Sequence, residues 1–187
     1  MQDRTINQAS MDPSRHPQTT SSNNSKTAEL DPVLHSIGFE IEEVSPSQLT
    51  GRLPITTRCC QPFQVLHGGV SALVAEGLAS MGAHMASGYR RVAGISLTIN
   101  HFRSAAVGDL VLARAKPVHV GRSTQVWEVK LWKQPGNNNK AGHPQIISES
   151  RVTLLCNLPV PDNLKHAGDA LQKYAEGSPK AATSSKL

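Results

Sequence analysis

Residues 61–80 read QPFQVLHGGVSALVAEGLAS. His67, Gly68 and Gly69 head a run of small and apolar residues that reaches Ala86, and one carboxylate, Glu76, interrupts it. An acid on an apolar helix is costly unless something there uses it. Glycines at a helix start allow close backbone approach. The first N–H groups of a helix have no internal partners, and the helix dipole makes that end positive. A carbonyl oxygen placed there is polarised, as in an oxyanion hole. Glu76 follows two turns later. Ser80 lies four residues beyond it on the same face, within reach of the carboxylate. Gln61, in the polar loop ahead of His67, offers an amide donor. The chemistry these types suit is acyl transfer to water, with the carboxylate attacking a polarised carbonyl or activating a water. Each part also has a plain reading: Gly68-Gly69 as a turn, His67 as a loop cap, Glu76 as a solvated flank residue.

Other reaction schemes fit less well. The stretch GGVSAL approaches a G-x-S-x-G nucleophile elbow, but Leu73 stands where the last glycine belongs. Neither a phosphate-binding P-loop nor a dinucleotide-binding G-x-G-x-x-G is present. His84, His101 and His119 match no zinc spacing, so no metal is expected, and they read as packing or surface residues. The three cysteines, Cys59, Cys60 and Cys156, are odd in number and two are adjacent, which is not a disulfide framework and suits a reducing compartment.

A long helix from Gly69 to Ala86 must carry Glu76. Val70, Leu73, Val74, Gly77, Leu78, Met81 and Met85 form an apolar arc on it. The other side holds Ala72, Ala75, Ala79 and Ala83, small rather than charged, so the helix is expected to be nearly enclosed. Around it the pattern is strand-like. IGFEIEEV alternates Ile37, Phe39 and Ile41 against Glu40 and Glu42, and QLTGRLPIT alternates Leu49, Leu53 and Ile55, with SPS as a hairpin turn. RVAGISLTINHF, DLVLARAKPVHV, STQVWEVKLW and QIISESRVTLLCNL are each apolar or β-branched and bounded by Gly, Pro, Asp or Asn. One helix cannot cover both faces of six strands. The economical answer is an α+β fold, an antiparallel sheet curved around the helix, with an outer face or an edge left for a second subunit.

The chain has 187 residues, 38% of them hydrophobic and 4% aromatic, with a formal net charge of +5. That suits one modest domain whose core relies on Val, Leu, Ile and Ala. Residues 1–28 are rich in Ser, Thr, Asn, Gln and Pro and read as a disordered leader. The domain is expected over 29–160. A polar tail over 161–187 follows, with a short helix at 169–175, and the polar loop at 134–145 joins the last two strands. The basic charge suits an anionic partner. Without basic runs interleaved with aromatics, nucleic acid is not expected. No apolar run is long enough to span a membrane.

The strand and helix order and the run LHGGVSALVAEGLAS resemble the hotdog-fold acyl-CoA thioesterases. The closer branch is the one that contains the 4-hydroxybenzoyl-CoA thioesterases and the enzymes of menaquinone and phylloquinone synthesis. The likeness covers about residues 30–160 and includes INHFRSA and KPVHVGRSTQVWEV. It implies that Glu76 is the nucleophile or general base, that Gly68 N–H is the oxyanion donor, that Gln61 and His67 hold the thioester, and that Ser80 orients the acid or the water. It also implies coenzyme A contacts at His101, Arg103, Ser104, His119, Gly121, Arg122 and Ser123. Sites built between subunits in a dimer of dimers follow from it too, with no cofactor required. The chain ends Ser185-Lys186-Leu187, a peroxisomal address read by an import receptor. With that ending, the likeness points to the plant thioesterases acting on 1,4-dihydroxy-2-naphthoyl-CoA in phylloquinone (vitamin K1) synthesis. Fatty or other aryl acyl-CoAs, or a non-catalytic acyl-CoA-binding module, are the alternatives.

Overall fold

The computed structural model describes residues 25–135 and 143–176. The expected leader up to residue 24, residues 136–142 of the polar loop and the Ser185-Lys186-Leu187 ending lie outside the described residues. Six strands form one sheet: β1 (Glu40–Ser45), β2 (Gln48–Pro54), β3 (Arg91–His101), β4 (Leu110–Val120), β5 (Thr124–Lys133) and β6 (Gln145–Leu158). Their order is β1-β2-β4-β5-β6-β3 and every neighbouring pair is antiparallel. Strand β3 is therefore an edge, although it follows the helix directly in sequence.

Alternation sets which face is buried. Val111, Ala113 and Ala115 of β4, Trp127, Val129 and Leu131 of β5, and Val152, Leu154 and Cys156 of β6 turn inward and are buried. Glu128, Lys130, Glu149 and Arg151 alternate with them on the outer face and form a lattice of ion pairs. Exposed pairs of this kind contribute little individually.

The long helix, Gly68–Ala86, lies across the inner face. Val74, Gly77, Leu78 and Met85 of the expected arc are buried, but the rest of the arc is not. Val70, Leu73 and Met81 are only half-buried, whereas Ala75, Ala79, Gly82 and Ala83 are fully buried. The reason is closeness. A Cβ added at Gly82 would sit 2.4 Å from Trp127 Cη2. The helix can press onto the broad indole of β5 only with nothing at that position. The indole N–H in turn donates to Gln125 Oε1 at 2.9 Å, and Gln125 Nε2 donates to Ser87 Oγ at 2.9 Å, so this buried amide is satisfied.

Two short helices precede β1: α1 (Lys26–Leu30) and α2 (Pro32–Ser36). The long helix is thus α3. Asp31 caps α2, accepting from the N–H groups of Val33 and Leu34 at 2.9 Å, with Pro32 at the first helical position. Ile37, expected in the first strand, instead caps the end of α2, and Gly38 turns the chain at φ 85°. The leader boundary expected at residue 28 falls inside α1, where Thr27 is buried and accepts from Ile41 N–H at 2.8 Å. After β6 the chain makes a 3-10 turn at Asp162–Leu164, and the described residues end in α4, Asp169–Glu176. Leu171 of α4 is buried, and Tyr174 Oη donates to Glu29 Oε2 at 2.6 Å, fastening α4 to α1. No helix among the described residues is long and apolar enough to cross a membrane.

Candidate active site

The chemistry-bearing residues separate into two clusters along α3. At its start, His67 is the N-cap. Its Nδ1 accepts from Gly69 N–H at 2.9 Å, and its carbonyl accepts from Val70 N–H at 2.9 Å. Because Nδ1 accepts, the neutral ring carries its proton on Nε2, which points a donor outward. Gly68 N–H has no acceptor among the described residues and is exposed, as an oxyanion donor must be. Gln61 sits in the preceding loop. Its side-chain oxygen accepts from Phe63 N–H at 2.7 Å, which leaves its NH2 outward. A Cβ on Gly68 would lie 3.4 Å from His101 Cε1, so the last residue of β3 stands against the helix start.

The second cluster is Glu76 with Ser80. Ser80 Oγ donates to Glu76 Oε1 at 2.6 Å, an i, i+4 pair on one helix face. The second carboxylate oxygen has no hydrogen-bond partner among the described residues. Glu76 is half-buried and lies over Gly94 of β3, where an added Cβ would approach Oε1 to 3.1 Å. Sequence reasoning missed Gly94. Its signal was a glycine inside an otherwise strand-forming stretch, which marks close approach by another group.

One chain does not bring the two clusters together. Gly68 and Glu76 are eight residues apart on α3, about 12 Å along the axis. A carbonyl whose oxygen rests on Gly68 N–H is beyond comfortable reach of the same chain's Glu76.

The candidate coenzyme A residues also divide. His101, Arg103 and Ser104 are exposed at the end of β3. His119, Arg122 and Ser123, with Gly121, lie at the β4–β5 turn, where Cys156 N–H donates to Ser123 O at 2.8 Å. That turn sits beside the end of β6, which pairs with Arg91 at the start of β3. The two groups are thus separated by the length of β3, about 33 Å.

Among the described residues no three His, Cys, Asp or Glu side chains cluster as a metal site. Cys60 is not an activated nucleophile: burial, then neighbouring Cys59, pushes its thiol up, away from the reactive thiolate.

Known proteins sharpen this reading. A model of the thioesterase superfamily matches residues 63–139, which include the helix start, Glu76 and Ser80. The 1,4-dihydroxy-2-naphthoyl-CoA thioesterase 2 of Arabidopsis thaliana is 52% identical over 144 residues, 77% of this chain and 91% of that protein. The chain belongs to the thioesterase superfamily. This thioesterase is also 41% identical over 97 residues to a 1,4-dihydroxy-2-naphthoyl-CoA hydrolase of Listeria monocytogenes, covering 51% of this chain and 78% of that one. A crystal structure of a thioesterase from Haemophilus influenzae superposes with a TM-score of 0.58 at 30% identity, covering 76% of this chain and 94% of the other. The S. sahachiroi protein AziG gives 0.60 at 27% identity, covering 70% and 99%. The fold is the hotdog fold, an antiparallel six-stranded sheet with a central helix, and the enzyme hydrolyses acyl-CoA thioesters.

Proposed function

We propose that this thioesterase hydrolyses 1,4-dihydroxy-2-naphthoyl-CoA to the free acid and coenzyme A, a step of phylloquinone synthesis, and that Glu76 carries the reaction. The observation that supports the role of Glu76 most directly is the Ser80–Glu76 hydrogen bond at 2.6 Å. It holds one carboxylate oxygen and leaves the other for the thioester. The substrate follows from the names of the relatives in Arabidopsis thaliana and Listeria monocytogenes.

The reaction needs water added across the C–S bond. Gly68 N–H takes the developing negative charge on the carbonyl oxygen, with Gln61 and His67 Nε2–H holding the thioester end. Glu76 either removes the proton from the attacking water or attacks the carbonyl carbon itself, giving an anhydride that water then opens. In both routes the coenzyme A thiolate leaves and is protonated.

The separation of the clusters favours a site shared by two chains. Strand β3 offers an unpaired edge, with Ile95 60% exposed. Pairing two β3 edges antiparallel about a two-fold sets the start of one strand beside the end of the other. The partner's Glu76 then approaches this chain's Gly68. The partner's turn at 119–123 approaches His101, Arg103 and Ser104, giving a basic surface for the coenzyme's phosphates. A dimer of dimers is the assembly proposed, and Ser185-Lys186-Leu187 is read as the address that carries the enzyme into peroxisomes.

A panel of dihydroxynaphthoyl-, benzoyl- and long-chain acyl-CoAs tests the substrate. The dihydroxynaphthoyl thioester is expected to give the highest kcat/KM; a long-chain thioester ahead of it contradicts the assignment. Removal of residues 185–187 is expected to leave activity intact and the protein in the cytosol. A full-length protein with an unblocked C-terminus that stays cytosolic refutes the address.

A further inference from the structure

A pocket of about 380 Å³ lies between the second half of α3 and the segment that follows β6. Its volume falls in the range that encloses small organic ligands. Leu30, Met81, Val92, Leu164 and Leu171 give it an apolar lining, and Ser80 and His84 enter it from α3. Ser80 is also the donor to Glu76, so the pocket begins one hydrogen bond away from the reacting carboxylate. The outer wall is a strap, residues 160–171, held in place by the Glu29–Tyr174 hydrogen bond and by buried Leu171.

His84 stands one turn past Ser80, about 6 Å along the axis. Its Nδ1 lies 2.7 Å from the Arg90 carbonyl oxygen. A carbonyl only accepts, so Nδ1 carries the proton and Nε2 of the neutral ring is an acceptor. Tyr89 is held at φ 61° and packs edge-on to the imidazole, with centroids 5.7 Å apart, so the ring orientation is fixed. The strap crosses directly over it: a Cβ on Gly168 would come within 2.8 Å of Nε2. Glu29, Arg91 and Lys165 also belong to the lining, but the apolar face beside the oriented acceptor of His84 suits a flat ring that carries a hydroxyl.

We infer that this pocket receives the acyl ring, that the strap is its specificity wall, and that His84 Nε2 accepts a hydrogen bond from a ring hydroxyl of the substrate. The inference rests on the proposed aryl-CoA reading and adds the residues that read the acyl group. A site built to pair with a hydroxyl discriminates against the analogue that lacks it.

The test compares kcat/KM for 1,4-dihydroxy-2-naphthoyl-CoA and for 2-naphthoyl-CoA, which has the same ring without hydroxyls. It uses the full chain as wild type, His84→Phe and Leu164→Trp. Phenylalanine keeps a flat ring and removes the acceptor. His84→Phe is expected to lower the ratio of the two values by about tenfold, the scale of one lost hydrogen bond. Leu164→Trp fills the slot from the half-exposed strap and is expected to lower both values by at least about tenfold, as expected for a filled acyl slot. A folded His84→Phe enzyme with an unchanged ratio, or Leu164→Trp at wild-type efficiency on both thioesters, overturns the inference alone. If His84→Phe does not fold, Leu164→Trp decides. A wild-type enzyme that hydrolyses neither aryl thioester, yet hydrolyses aliphatic ones, overturns the aryl-CoA reading and the inference together.

Discussion

In the proposed reaction Ser80 sets which oxygen of Glu76 faces the thioester, because its hydroxyl occupies Oε1 at 2.6 Å. Replacing it removes an orienting contact and leaves the carboxylate. Ser80→Ala is therefore expected to lower kcat by about tenfold, the scale of one net hydrogen bond, with little change in KM. A loss as large as that of removing Glu76 itself would assign Ser80 a direct chemical part. At this scale the local geometry of the candidate site was largely legible. An acid on an apolar run with a hydroxyl four residues later is a local pattern, and helix geometry turns that spacing into contact. Gly94 was not legible as the seat of Glu76, because the contact joins a helix to a strand through tertiary packing. The two roles of His67 also needed coordinates. Its Nδ1 is committed to the cap, so the proposed substrate contact falls to Nε2.

Helix α3 rests on its small residues. Val74, Gly77, Leu78 and Met85 of the apolar arc are buried as expected, but Val70, Leu73 and Met81 are half-buried and the alanines and Gly82 are buried instead, since close approach to Trp127 outweighs side-chain bulk. Gly82→Ala places a methyl where the indole already lies. It is expected to destabilise the fold by about 1–3 kcal/mol, the usual range for overpacking, read as a lower denaturation midpoint with unchanged slope. The α1–α4 fastening has a pH signature. The Tyr174 hydroxyl, then Lys173, holds the Glu29 carboxyl below its ordinary value. A depressed folded-state value means that the contact stabilises at pH above the unfolded carboxylate range, about 4.3. The contribution is lost as pH falls through the folded value. The protection of α4 amides, their exchange taken relative to the intrinsic rate at each pH, is expected to fall on acidification below about pH 4, and Glu29→Gln is expected to remove that pH dependence. Equal acid sensitivity in the variant would place the trigger elsewhere. The six strands were legible from alternation and turn residues. Helix α2 was missed, though Asp31-Pro32 is a helix-start signal, because five residues are too few to show a helical period, and Ile37, which caps its end, was read as strand.

For the whole molecule, the decisive feature of the proposed site is that one chain holds its two halves about 12 Å apart along α3. Sequence order places Gly68 and Glu76 on one helix. The two-fold pairing that would join them is a property of surfaces, and no local pattern encodes it. Complementation tests the shared site. Gly68 is the first residue of α3 and follows an extended His67, so Gly68→Pro deletes the N–H while suiting the helix. Alone it is expected to cost about 10²-fold in kcat, as for loss of an oxyanion donor. Co-refolded one to one with Glu76→Gln, half the dimers are mixed and carry one intact site, so about a quarter of wild-type activity is expected from the two-fold symmetry. No recovery would mean that each site is built within one chain.

The central claim is that Glu76 performs the hydrolysis. Glu76→Gln retains size and the bond from Ser80 but removes base and nucleophile alike. The deciding measurement is steady-state turnover of 1,4-dihydroxy-2-naphthoyl-CoA by the folded variant. A fall in kcat of at least about 10²-fold, the usual scale for a lost general base, with KM little changed, is expected. A near-normal kcat would contradict the account.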